Sequence, residues 1–293
     1  MPAALAPLVR EVRNLDSFHP QAPRPISKPL FANGTSTPAL APGDLATIYD
    51  FQSLRASGFD GTGQTVAVVG QTGINLSDLA LYRSSFSLPS ANIQIVTVGT
   101  DPGVSPNDVY EANLDLDVVS AVTPNASLVF VNASNVFDSV QYAIDNNLAP
   151  VVSMSYGVCE PLISALPETD ANILQSWAQQ ANAEGITWIA ASGDSGAAGC
   201  DPFGAGAPTA TQGLAVNLPA SIPEVTGVGG TAFQPGSGSY WSAQNGANGG
   251  SAISYVPEVA WNDDSSPNPG ASGGGAGVDF PKPSWQSGLG VTR

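Results

Sequence analysis

The sequence predicts an α/β fold: a doubly wound, mostly parallel sheet with helices on both faces. Two observations carry this. Short apolar runs alternate with amphipathic segments from Gln64 to Ala191. The runs themselves are continuously apolar, as strands covered on both faces require, and strands alternating with helices imply right-handed crossovers.

Each element follows in order. Residues 1–42 hold prolines at 2, 7, 20, 23, 25, 29, 38 and 42 and show no sustained periodicity, so they read as an extended arm or linker. Gln64-Thr-Val-Ala-Val-Val-Gly70 is a short apolar run ending in glycine, a buried parallel strand. A helix is expected over Leu76–Phe86 and a strand over Ile93–Val98. Next come a helix over Val109–Val122, a strand over Ser127–Asn132 and a helix over Val136–Asn146. A strand at Val151–Tyr156, a helix over Glu168–Glu184 and a strand at Ile186–Ala191 complete the alternation. After Cys200 the rhythm stops. Glu224–Thr231 offers one more strand, and the rest is rich in Gly, Ser, Asn and Pro. No internal repeat is visible.

The charge balance excludes some partners. The chain has 293 residues, with 8 Lys and Arg against 24 Asp and Glu, a formal net charge of −16. Such a surface repels phosphate backbones, which argues against nucleic acid. It also suits an acidic medium, where many carboxylates are neutral and few cations remain to repel one another. No apolar run approaches the roughly 20 residues needed to span a bilayer. The first ten residues lack a basic stretch followed by an apolar one and read as a poor signal peptide.

The residues that carry chemistry are acids. Glu111 and Asp115 are four apart in Tyr110-Glu-Ala-Asn-Leu-Asp-Leu-Asp-Val-Val-Ser-Ala-Val122; on a helix their Cβ atoms lie about 6 Å apart on one face. Acids near a helix start are also favoured by the macrodipole alone. Here the flanking Leu114, Leu116, Val118, Val119 and Val122 predict a largely buried helix, and buried carboxylates usually have a task. Asp117 points elsewhere and reads as structural.

In sheets of this type ligands bind beyond the carboxyl ends of the strands. Asp194 follows one such end, Tyr156-Gly157 another, and the acid pair follows the loop from a third. Gly193-Asp194-Ser195-Gly196 resembles the tetrapeptide around a chymotrypsin-type serine. That mechanism needs a histidine base, and the chain's one histidine, His19, lies in the proline-rich arm. Gly70-Gln-Thr-Gly73 lacks the full spacing of a dinucleotide loop and reads as a turn, so a flavodoxin-like nucleotide binder is disfavoured. The two cysteines, Cys159 and Cys200, each follow a strand, one crossover apart. They are either a disulfide or two buried thiols; a disulfide would imply an oxidising compartment. Neither their pattern nor their number supports a zinc site.

Taken together, Glu-Ala-Asn-Leu-Asp-Leu-Asp (111–117), Ser-Met-Ser-Tyr-Gly (153–157) and Ala-Ala-Ser-Gly-Asp-Ser-Gly (190–196) resemble motifs of the sedolisin (serine-carboxyl peptidase) family, especially its kumamolisin-like members. Leu218-Pro-Ala-Ser, Val228-Gly-Gly-Thr231, Glu258-Val-Ala-Trp-Asn262, Gly273-Gly-Gly and Phe280-Pro-Lys-Pro-Ser-Trp-Gln286 follow in the family order. The resemblance implies a subtilisin-like fold and a secreted, monomeric endopeptidase that cleaves protein or peptide substrates at acidic pH. It implies Glu111 as the general base, Asp115 as its helper and Asp194 as the oxyanion-stabilising acid. Ser155, Tyr156 and Gly157 would lie against the substrate backbone.

The resemblance also has departures. The family's nucleophilic serine sits in a Gly-Thr-Ser segment well after the Ser-Trp-Gln motif, whereas this sequence stops at Arg293. Gly34-Thr35-Ser36 is a triplet match in the wrong place. The family's calcium-binding acids belong to the same C-terminal part, so no cofactor is expected in this chain. Residues 1–42 resemble the end of a propeptide plus a linker, and 43–293 the N-terminal part of the peptidase domain. The expectation is a C-terminally truncated fragment, inactive by itself and of doubtful stability. The alternative is a non-catalytic peptide-binding or interaction module derived from that fold.

Overall fold

The computed structural model describes residues 19–20, 40–165, 171–201, 209–263 and 269–288. Most of the proline-rich arm therefore lies outside the described residues. Two short helices, α1 (Pro42–Ile48) and α2 (Gln52–Ala56), open the domain, followed by β1 (Thr65–Gly70), α3 (Leu76–Ser85), β2 (Asn92–Thr97), α4 (Val109–Val122) and β3 (Ser127–Asn132). Then come α5 (Val136–Asp145), β4 (Val151–Met154), β5 (Val158–Cys159), α6 (Glu160–Ala165), α7 (Ala171–Ala183), β6 (Thr187–Ala191), β7 (Asn217–Leu218), β8 (Thr226–Val228), β9 (Thr231–Phe233) and β10 (Glu258–Ala260).

Six strands form one sheet in the order β2-β3-β1-β4-β6-β8, every pair parallel. The expected strands are all there. Residues 224–231 contribute β8 to this sheet and the start of β9, which pairs antiparallel with β10. The helix expected from Glu168 is described from Ala171 onward; 168–170 lie outside the described residues. The two helices α1 and α2 were not anticipated: their short runs lack the periodicity that marks a longer amphipathic helix.

Local chemistry sets the helix starts. Asn75 and Asn135 accept hydrogen bonds from the backbone N–H of Ser77 (3.2 Å) and Phe137 (3.0 Å), capping α3 and α5. One face of the sheet carries the main core. Ala67, Val69, Val131, Val152, Met154, Trp188 and Ala190 pack there with residues of α5 and α7 such as Val140, Ile144, Leu174 and Ala178. On the other face, Val68, Leu128 and Phe130 meet Leu79 of α3 and Ala112 and Leu116 of α4.

That second layer stops short. Beyond β1, the side chains of this face belong to Val151, Ser153 and Ser155 from β4 and just beyond, then Thr187, Ile189 and Ala191 of β6, then Thr226 and Val228 of β8. None of them is buried. Helix α4 was expected to be largely buried. Leu116 is, but Val118 and Val122 are 42% and 38% exposed, because nothing among the described residues packs on the flank facing the uncovered strands.

Cys159 and Cys200 are joined in a disulfide with Cα atoms 5.2 Å apart, which settles the choice left open by the sequence. It ties β5 to the loop that follows β6. The bond closes a separation of 41 residues; in the chain-entropy account that is worth about 4 kcal/mol. Replacing both cysteines by serine should lower the free energy of urea unfolding by roughly this amount, and an unchanged midpoint would refute the stabilising role.

Candidate active site

The carboxyl ends of β1, β4 and β6 and the first turns of α4 meet at one end of the sheet. Glu111 is the third residue of α4, and Asp115 lies one turn further on the same face. Glu111 is 6% exposed. Burial first, then the charges of Asp115 and Asp194, push its pKa up to about 8, against a hydrogen-bonding contribution from Ser155 that lowers it. The helix N-terminus, worth up to about 1 kcal/mol for an anion there, pulls the other way and loses. A simple dipole partner would not have been desolvated, so that reading of the acid pair does not suffice.

Burial likewise raises Asp115 to about 7, again opposed by Ser155. The Ser155 hydroxyl donates to Asp115 Oδ1 at 2.7 Å. The remaining oxygens, Glu111 Oε2 and Asp115 Oδ2, are buried without a partner among the described residues. With Asp115 one turn away, Glu111 holds its proton to a higher pH than burial alone would give.

Asp194 follows β6 in the turn Ser192-Gly193-Asp194. Gly193 has φ +99°, a conformation that side chains disfavour. The turn is held on both sides. Ser192 N–H donates to Val228 O (2.9 Å), and its hydroxyl donates to Gly273 O (2.9 Å). Gly193 O and Asp194 O accept from the N–H groups of Gly273 (2.7 Å) and Ala271 (2.9 Å). A Cβ on Gly273 would stand 2.0 Å from Ser192 O, so only glycine lets this strap approach. Burial pushes Asp194 up to about 6. Its charge is felt by Glu111, so Asp194 lies within electrostatic reach of that acid.

Ser155, Tyr156 and Gly157 continue β4 past its end. The Tyr156 side chain is fully buried beneath the acids, and the charges of Asp108, Asp115 and Glu111 add to burial in raising its phenol. Only the backbone of Tyr156 can therefore face a ligand. Gly157 passes so close to Leu218 that a Cβ would lie 3.1 Å from its carbonyl oxygen.

Sequence reasoning missed Gln71 and Asp108. Gly70–Gly73 is a turn, as read, but the Gln71 amide donates to Asp108 Oδ1 (3.0 Å) and to the carbonyl of Pro20 (2.9 Å). Asp108 also accepts from the Ser105 hydroxyl at 2.6 Å. The available signal was position: Gln71 directly follows the carboxyl end of the central strand. Pro20 is buried, so this part of the arm touches the domain, while the adjacent His19 is exposed. The Ser195 hydroxyl donates to Asp201 O (3.1 Å) rather than to an acid. Asp117 lies beside Arg83; burial and the charge of Asp78 outweigh the guanidinium and raise it to about 7. No group of three or more His, Cys, Asp or Glu side chains among the described residues is placed to hold a metal ion.

No family model matches the chain. Individual relatives do. Kumamolisin of Bacillus sp. (strain MN-32) is 28% identical over 311 residues, an alignment covering 98% of this chain and 49% of the relative. Sedolisin of Pseudomonas sp. (strain 101) is 30% identical over 262 residues, covering 84% of this chain and 41% of that protein. The solved structure of Pseudomonas sedolisin, a serine-carboxyl proteinase complexed with pseudo-iodotyrostatin, superposes with a TM-score of 0.66 at 27% identity, covering 85% of this chain and 67% of that one. With the six-stranded parallel sheet, this likeness places the chain in the subtilisin-like α/β class. Within it, the chain is similar to members of the sedolisin (serine-carboxyl peptidase) family. It spans less than half the length of the curated relatives it matches.

The buried acids set a pH dependence of stability. Glu111, Asp115, Asp117 and Asp194 bind protons more tightly when folded than when unfolded. Their contribution is therefore complete below the ordinary carboxylate range near 4 and is lost as pH rises through about 6 to 8. Thermal melts should show Tm falling across that interval, and Glu111→Gln with Asp115→Asn should flatten the fall. A Tm that rises from pH 4 to 8 would contradict the shifts.

Proposed function

We propose that this chain carries the acid half of a serine-carboxyl endopeptidase site acting on protein or peptide substrates at acidic pH. Glu111 is the general base that takes the nucleophile's proton. Asp115 shares a proton with it and fixes its orientation. Asp194, protonated, donates a hydrogen bond to the oxyanion; one such donor is typically worth about 3 kcal/mol of transition-state stabilisation. The backbone of Ser155–Gly157 runs beside the substrate backbone. The observation that carries this reading is the response of Glu111, buried near the start of α4, to both Asp115 and Asp194, which puts two further acids of raised pKa within its electrostatic reach.

The nucleophile's hydroxyl comes, in this reading, from a segment outside these 293 residues. Two features support that. The uncovered strands β4, β6 and β8 and the exposed Val118 and Val122 continue the α4 stripe that begins at Glu111 and Asp115. An apolar helix seated there would end at the acid pair. In addition, Glu111 is held higher than Asp194, the reverse of the order in which a base ionises while an oxyanion donor keeps its proton. A hydroxyl donating to Glu111 Oε2 would stabilise its carboxylate, lower its pKa and restore the working order. The disulfide fits an oxidising, extracellular setting. No described helix is long and apolar enough to cross a membrane.

The test is hydrolysis and binding of a fluorogenic peptide from pH 3 to 8. The expected result is binding at low pH without turnover by the 293-residue chain. Turnover abolished by Glu111→Ala would overturn the external nucleophile and point to Ser155, whose hydroxyl already touches Asp115. Peptide affinity unchanged by substitution of any of the three acids would favour a non-catalytic binding module.

A further inference from the structure

A side chain with no assigned task lies between the backbone-binding segment and the oxyanion turn. Asn217, on β7, is wedged among three glycines from three parts of the chain. A Cβ on Gly193 would lie 2.1 Å from Asn217 Nδ2, one on Gly199 2.8 Å from Oδ1, and one on Gly157 3.6 Å from the asparagine Cβ. The carboxamide therefore fills the space that side chains at Gly193 and Gly199 would need, and it borders Gly157 at ordinary contact distance. Gly157 ends the Ser155–Gly157 segment, Gly193 immediately precedes Asp194, and Gly199 immediately precedes the disulfide at Cys200.

The orientation is specific. Oδ1 lies on the Gly199 side, where it is buried with no partner among the described residues. Nδ2, the donor end, lies against Gly193. The residue cannot easily drift, because Cys159 is its cross-strand partner on β5, its carbonyl accepts from Ser221 N–H (3.0 Å), and the disulfide holds the strand it pairs with. Opposite it, Ser192–Asp194 is pinned by the 271–273 strap. A donor held next to Gly193 and Gly157 is fixed in place, as a preorganised carbonyl-binding group has to be.

We propose that the Asn217 carboxamide is a second donor at this end of the cleft, hydrogen-bonding through Nδ2 to the carbonyl oxygen of the bound peptide beside Asp194. This rests on the peptidase reading above. Unlike Asp194, a carboxamide does not titrate. Asn217 thus supplies the part of carbonyl recognition that persists when Asp194 ionises, and Asp194 supplies the acid-dependent part.

The experiment measures affinity of the 293-residue chain for a fluorescein-labelled tetrapeptide aldehyde, whose hydrate presents tetrahedral oxygens, at pH 4 and pH 7.5. Asn217→Ala should weaken binding about tenfold, and by the same factor at both pH values. Asp194→Ala should weaken it at pH 4 only. Asn217→Asp keeps the shape that fits the three glycines but removes the donor; at pH 7.5 it should lose at least as much as the alanine variant. That isosteric variant separates recognition from folding, and thermal melts confirm that it is folded. Affinity unchanged in both Asn217 variants, or a loss confined to pH 4, overturns this proposal alone. No binding by the unsubstituted chain at either pH overturns the peptidase reading and this proposal together.

Discussion

Desolvation of two carboxyl groups on one helical turn is the constraint around which the rest of the structure is arranged. Helix α4 packs Ala112 and Leu116 onto Val68, Leu128 and Phe130 of the central strands, and this contact fixes which face of α4 turns toward the end of β4. Glu111 and Asp115 then have to be taken out of water. The cost is reduced in two ways: the carboxyls hold their protons to higher pH, and Ser155 donates to Asp115. A buried pair that stayed ionised would cost several kcal/mol more, so protonation is what makes the packing tolerable. The chemistry proposed for the site and the stability of the fold are two readings of the same protons.

The third acid is positioned by different means. Asp194 sits on a turn rather than a helix, and its backbone carbonyl, like that of Gly193, is held by a strap more than 75 residues away in sequence. Glycines at 193 and 273 allow these chains to approach closely, and the disulfide closes the far side of the same loop. Rigid placement matters because a donor contributes to oxyanion stabilisation only if it need not reorganise as charge develops. The irregular, glycine-rich stretch after Cys200, which adds one short strand to the main sheet, therefore supports the site more than the core.

Much of this was legible in the sequence for a physical reason. Strands buried on both faces must be continuously apolar, so β1 and β3 announce themselves, and the boundaries of α4 follow from its helical pattern. The three acids could be located because Asp194 lies just past a strand end, Glu111 at a helix start, and Asp115 one turn further along the same helix. Exposure along α4 could not be read. Val118 and Val122 look like core residues in any periodicity argument, and only the tertiary structure shows that no described element covers their flank. Gln71 and Asp108 were hidden because one hydrogen bond joins a turn to a helix start 37 residues later. Asn217 was hidden for a similar reason: its neighbours are glycines, and a glycine reveals nothing about what occupies the space it leaves.

The most direct test is a carbon-13 NMR titration of the side-chain carboxyls of Glu111, Asp115 and Asp194 in the folded chain, assigned by substitution. Desolvation of the acids predicts midpoints well above ordinary carboxylates for all three, with Glu111 highest and its midpoint falling when Asp115 is replaced by asparagine. Three independent titrations near pH 4, indifferent to one another's substitution, would contradict it.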